Sequence, residues 1–229
     1  MRKDVVIIHY NTPELTEAAI KSLNKTTDGC SIIVFDNSDA RPFVNNFDNV
    51  QVIDNTQGQF INFDEWLDKF PDKVKTPNGW ASAKHCRSVQ WFVDKRKNPF
   101  VLMDSDVLVK EDISLFWNPD HAYVGEIVQK VKRLGEVHPR LLPFLCYVNV
   151  RMMHKHGVSY FNPKRMYALT DKVPGIGYDT GSWFVEDCAA HDLPFLDVSL
   201  DDYIVHMKAG SWKKKDTEQW LKENKKLYT

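Results

Sequence analysis

The chain opens on a short apolar run, Val5-Val-Ile-Ile8, followed at once by the polar stretch His9-Tyr-Asn11-Thr12-Pro13-Glu14. A run of this length ending in turn residues predicts a buried strand. Thr12 can cap a following helix and Pro13 can occupy its first position. The helix is predicted to run to about Asn24, because Leu15, Ala18, Ala19 and Leu23 are spaced to form one apolar face. Ser31-Ile-Ile-Val-Phe35 and Val50-Gln-Val-Ile53 predict two further strands, ending in Asp36-Asn-Ser-Asp39 and Asp54-Asn55. Asn78-Gly79 through Val93 reads as a helix entered by a glycine-containing turn, and it leads into Phe100-Val-Leu-Met-Asp104-Ser-Asp106-Val-Leu-Val109. Strands joined through helices predict a mostly parallel sheet with right-handed crossovers, its polar strand ends gathered along the carboxyl edge.

The second half is less patterned. Leu142 to Val150 predicts a strand, and Tyr178-Asp179-Thr-Gly181 a polar turn entering an apolar helix that continues to His191. Thr180 or Asp179 can cap that helix. Val205-His206-Met-Lys-Ala-Gly210-Ser211 places a histidine at the end of an apolar strand, before a Gly/Ser turn.

The candidate chemistry centres on the acid pair. The run before Asp104 is apolar, so both carboxylates should emerge at a strand's carboxyl end, where open α/β sheets bind ligands. Two desolvated carboxylates so close repel each other unless a cation lies between them or one is protonated. A hard divalent metal carrying a diphosphate satisfies both the acids and the phosphate oxygens.

Charge and composition then narrow the field. Thirty Lys and Arg against 31 Asp and Glu leave a net charge of -1, which excludes the broad basic field of a nucleic-acid binder. The 229 residues carry no linker-like segment and predict one domain, residues 1–229. Cys30, Cys86, Cys146 and Cys188 are single and widely spaced, as expected of reduced core residues in a cytoplasmic protein. The first apolar run is too short for a signal sequence or a membrane span. Trp212-Lys-Lys-Lys215 and Lys222 to Lys226 are compatible with peripheral contact at the inner face of a membrane, or with a solvated helix face.

Taken in order, Val5 to Asn11, Val34-Phe-Asp36-Asn-Ser38, Gly79 to Arg87 and Met103-Asp104-Ser-Asp106 resemble the GT-A fold glycosyltransferases, particularly family-2-like enzymes of bacterial polysaccharide assembly. The resemblance is best over residues 1–110, which it makes the nucleotide-sugar half, leaving 111–229 for the acceptor. It implies that Asn11 and Asp36 hold the nucleoside of a UDP or GDP sugar, and that Asp104 and Asp106 bind a divalent metal on its diphosphate, Asp106 the more directly. It also implies that His206 completes the metal's coordination. An imidazole among oxygen ligands favours Mn²⁺ over Mg²⁺. The implied reaction is metal-dependent transfer of a sugar to a glycan or lipid-linked acceptor hydroxyl, with inversion.

Other readings of the same residues stay open. Asp36 also suits a turn for purely local reasons, and His206 an interior position. His85 and Arg87 can reach the diphosphate or belong to a cationic helix face. Inversion needs a base to take the acceptor proton; Asp179, in a glycine-containing turn at a helix start, is the first choice, with Asp187, Asp201 and Asp202 as rivals. Asp104-Ser-Asp106-Val-Leu also resembles the nucleophile loop of haloacid-dehalogenase-type phosphohydrolases, with Asp201-Asp202 as the late acidic pair, although that loop ordinarily follows a domain's first strand. A domain that binds nucleotide or glycan without turnover is the non-enzymatic alternative.

Overall fold

The computed structural model describes residues 2–69, 77–131, 137–164, 169–170, 173–177, 180–207 and 216–229. Asp179, Gly210 and Ser211, and Trp212 to Lys215 therefore lie outside the described residues.

In the first half the predicted strands and helices form, with the second and third strands joined by a loop rather than a helix. Strand β1 (Lys3–His9) is followed by α1 (Pro13–Thr26), β2 (Cys30–Asp36), β3 (Val50–Asp54), α2 (Pro77–Lys95) and β4 (Phe100–Asp104). After it come β5 (Val107–Val109), β6 (Tyr123–Val131), β7 (Val137–Val148), α3 (Val150–His156), β8 (Leu169–Thr170), β9 (Val173–Gly177), α4 (Ser182–Ala190), β10 (Phe195–Asp197), β11 (Ile204–His206) and α5 (Thr217–Glu223).

The central sheet has seven strands in the order β10-β6-β7-β4-β1-β2-β3. Strands β4, β1, β2 and β3 run parallel, β10 runs parallel to β6, and β7 is antiparallel to both of its neighbours. The reversal at β7 and the whole of β6 were not visible in the apolar pattern. A chain segment that returns on a long antiparallel strand needs no crossover helix, so the helical spacing that marked the first half is missing there.

Successive residues of a strand point to opposite faces, and β1 shows this directly. Val5 and Ile7 pack with Ala19, Ile20 and Leu23 of α1, together with Val34 and Met103. Val6 and Ile8 pack on the other face with Ala83, Cys86, Val89 and Phe92 of α2 and with Phe184 of α4. Each fully buried Val, Ile or Leu contributes roughly 1.5–3 kcal/mol, so burial on both faces explains why these strands read as continuous apolar runs. All four cysteines are buried with free thiols. No helix among the described residues is long and apolar enough to cross a membrane.

Candidate metal centre

Because β1, β2, β3 and β4 are parallel, their carboxyl ends meet along one edge. Ile8 is in register with Asp104, and His9 with Asp36. The chain turns through Ser105 and Asp106 into β5, which pairs antiparallel with β11 so that Val107 faces His206. A further backbone bond, Met207 N donating to Asp106 O at 3.0 Å, closes that ribbon. This pairing brings His206 to the acid pair across a hundred residues of sequence.

One ligand atom each of Asp104, Asp106 and His206 lies within 4.8 Å of the other two. His206 Nε2 is 3.2 Å from Asp106 Oδ1. Ligands on a common ion at about 2.1 Å are roughly 3 Å apart when adjacent and 4.2 Å when opposite, so a small inward movement closes the set. Two carboxylates and one imidazole fit a divalent ion that accepts both oxygen and nitrogen. The surroundings favour such an ion as well, since the Asp106 side chain is only 8% exposed and the His206 side chain 11%.

His85 stands beside the pair. Its Nε2 lies 3.1 Å from Asp104 Oδ1. Burial opposes the charged imidazole, yet hydrogen bonding and charge from Asp104 and from Cys86 outweigh it and push the His85 pKa up to about 10. The contacts of Arg87 are different: its guanidinium lies 4.4 Å from the Trp66 ring centroid and 3.5 Å from Asp94 Oδ2. The sequence contained a signal for this division. His85 shares a helical stripe with the buried Ser88, Val89 and Phe92, whereas Arg87 shares one with Trp91 and Asp94.

At the turn after β2, Asp36 is 2% exposed and both of its oxygens are committed. Ser38 N donates to Oδ1 at 2.9 Å and Phe43 N to Oδ2 at 2.7 Å, so this carboxylate shapes the turn after β2. Asn11, at φ 54, serves the same turn: its Oδ1 accepts from Ala40 N and Arg41 N, and its Nδ2 donates to Asp39 Oδ1 at 2.6 Å. Tyr10 OH donates to Asp39 Oδ2 at 2.6 Å while its ring stays 42% exposed. The turn thus presents Tyr10, Asn11 and Asp39 as one bonded group, of which only Asn11 was singled out from sequence.

Two expected caps differ. Thr12 precedes α1 without capping it, and its hydroxyl instead lies 3.2 Å from Ser105 Oγ, tying the helix start to the acid turn. Helix α4 is entered by Gly181 at φ 81, with no side-chain cap from Thr180. The Thr180 carbonyl accepts from Arg140 Nε at 2.8 Å, and a Cβ on Gly181 would stand 2.2 Å from Leu141 O, so this turn is held to β7 by the Arg140 side chain and packs closely on the Leu141 backbone. Of the rival acids, Asp187 is engaged, accepting from Ser159 N at 2.8 Å, whereas Asp201 and Asp202 are exposed.

No protein-family model and no curated protein matches the sequence. Solved structures do match by shape. Mouse xyloside xylosyltransferase 1 superposes with a TM-score of 0.55 at 14% identity, over 86% of this chain and 85% of that one. The galactosyltransferase LgtC, solved with donor and acceptor sugar analogues, gives 0.47 at 16% identity over 67% of this chain. The matched region spans 60% of LgtC's length. The mannosyltransferase PcManGT from Pyrobaculum calidifontis, solved with GDP-Man and Mn²⁺, gives 0.43 at 12% identity over 86% of this chain and 54% of that one. The match in shape to the xylosyltransferase, together with the order of the central sheet, shows that this chain has the GT-A glycosyltransferase fold.

Proposed function

We propose that this protein transfers a sugar from a nucleoside diphosphate donor, UDP- or GDP-linked, to a hydroxyl of a glycan or lipid-linked acceptor. The observation that carries the reading is the meeting of Asp104, Asp106 and His206 on the carboxyl edge of a GT-A sheet. When bound there, a divalent cation neutralises charge on the departing diphosphate. Manganese suits a site with one imidazole better than magnesium. Asp104, Asp106 and His206 hold the ion, and the start of α1, tied to Ser105 through Thr12, turns its first-turn N–H groups after Pro13 toward the phosphates. Asn11, with the turn that Asp36 builds, holds the nucleoside. Arg87 supports the donor side through Trp66.

At the reacting centre the acceptor oxygen bonds to the sugar's anomeric carbon as the bond from that carbon to the phosphate oxygen breaks. The diphosphate leaves with the electron pair, and the hydroxyl proton passes to the carboxylate of Asp179. Attack from the face opposite the diphosphate inverts the anomeric centre. Thr180, the next residue in sequence, accepts from Arg140 Nε at 2.8 Å.

Thermal melts with a panel of UDP- and GDP-sugars plus Mn²⁺ test this reading. The matching donor should raise the midpoint, because a ligand that binds only the folded state stabilises it. Asp106→Asn should abolish the rise. A parent protein stabilised by no nucleotide sugar, yet releasing phosphate from p-nitrophenyl phosphate, would reverse the reading in favour of a phosphohydrolase. Proton NMR of the product's anomeric position tests inversion, and a retained configuration removes Asp179 from the role of base.

A further inference from the structure

His206 is anchored by hydrogen bonding at one ring nitrogen only. Nε2 faces Asp106, while Nδ1 is buried and has no hydrogen-bond partner among the described residues. Metal-binding histidines ordinarily give the second nitrogen to a carboxylate, a carbonyl or water, which fixes the ring plane. Instead, an aromatic ring lies against the imidazole. The centroids of Phe144 and His206 are 3.7 Å apart and their planes differ by 30°. The backbone on either side of the imidazole is already fixed by the β5–β11 register and by the Met207 N bond to Asp106 O. What remains free is the ring torsion, which is broad and two-fold for histidine. A stacked face restricts that torsion where a hydrogen bond would otherwise do so.

We propose that Phe144 is a positioning residue for the metal site: its ring holds the His206 imidazole with Nε2 turned toward Asp104 and Asp106. The proposal rests on the metal reading above. A second consequence follows from ring electrostatics. An imidazole coordinated to a cation carries part of its charge, and the negative face of a phenyl ring stabilises that charge. Phe144 therefore favours the loaded site as well as the orientation. An aromatic ring at position 144 is required for both effects, and apolar bulk alone is not enough.

The test compares Phe144→Leu and Phe144→Tyr with the parent chain, each titrated with Mn²⁺ while the free aqua ion is followed by electron paramagnetic resonance. Phe144→Leu should weaken Mn²⁺ binding about tenfold or more, the scale on which orienting partners act, and Phe144→Tyr should stay within about twofold. In the metal-free protein, the His206 ring protons should be displaced upfield by the Phe144 ring current in the parent and in Phe144→Tyr, and return toward ordinary positions in Phe144→Leu. If Phe144→Leu does not fold, Phe144→Met serves as the second aliphatic variant. A parent that binds Mn²⁺ while a folded aliphatic variant binds it equally well overturns the role of Phe144 alone. A parent that binds no Mn²⁺ overturns the metal reading, and this role with it.

Discussion

His85 Nε2 lies 3.1 Å from Asp104 Oδ1, so the first acid of the pair has a basic partner before any ligand arrives. The contact joins the buried stripe of α2 to the carboxyl end of β4. Its effect on stability can be worked out by sign. The folded pKa of His85 is raised to about 10. Between the unfolded value near 6.5 and that value, the folded chain holds a proton that the unfolded chain has released. The stabilisation is therefore complete below about pH 6.5 and is lost as pH rises toward 10. Melts of the metal-free protein in chelator should show a midpoint that falls over this range. His85→Gln, which keeps a donor and removes the charge, should flatten the curve; an unchanged slope would mean that His85 is neutral in the fold.

His9 works in the opposite direction. Burial holds its pKa below the ordinary histidine range despite the nearby Asp36 carboxylate, and its Nδ1 is 2.7 Å from Thr16 Oγ1. As pH falls through about 6.5 the unfolded chain takes up a proton that the folded chain excludes, so stability drops on the acid side. His9→Asn should reduce that acid-side loss in the same melts.

Asp179→Asn separates chemistry from binding. The substitution preserves shape, so nucleotide and Mn²⁺ affinities measured by calorimetry should stay nearly unchanged. Turnover should fall by about 10²-fold or more, the usual scale for losing acid–base assistance. The same change at Asp187, Asp201 and Asp202 supplies the comparison. Parent-rate turnover in Asp179→Asn, with one of the other three inactive and its donor affinity intact, moves the base there.

Gly181→Ala tests how the turn before α4 is fastened. An added Cβ would meet the Leu141 carbonyl oxygen at 2.2 Å, in a residue whose φ of 81 already disfavours a side chain. A backbone atom inside a sheet cannot step aside, so the variant should lose about 2 kcal/mol or more in denaturant melts. Gly29 is the control: it has φ 73 and nothing within 4 Å of an added Cβ, so Gly29→Ala there should cost only the backbone strain.

The parallel half of the fold and the acid pair at its edge were legible in the order of residues alone. Runs such as Val5 to Ile8 and Phe100 to Met103 are buried on both faces of the sheet, so their apolar character is uninterrupted and easily read. Asp104 and Asp106 stood out because two charges inside such a run need a local reason. Partnership between distant side chains came from packing. That His206 reaches Asp106 depends on the pairing of β5 with β11, three-residue strands too short to carry a pattern of their own. Phe144 meets His206 only through the reversal of β7. Asp36 shows the same division within one residue. Its place after a buried strand was legible, but the use of both its oxygens was set by backbone N–H groups at Ser38 and Phe43, positioned by a turn whose shape the local sequence leaves open. Burial leaves a periodic mark along the chain, whereas a contact between distant residues depends on how separate elements pack and leaves no such mark.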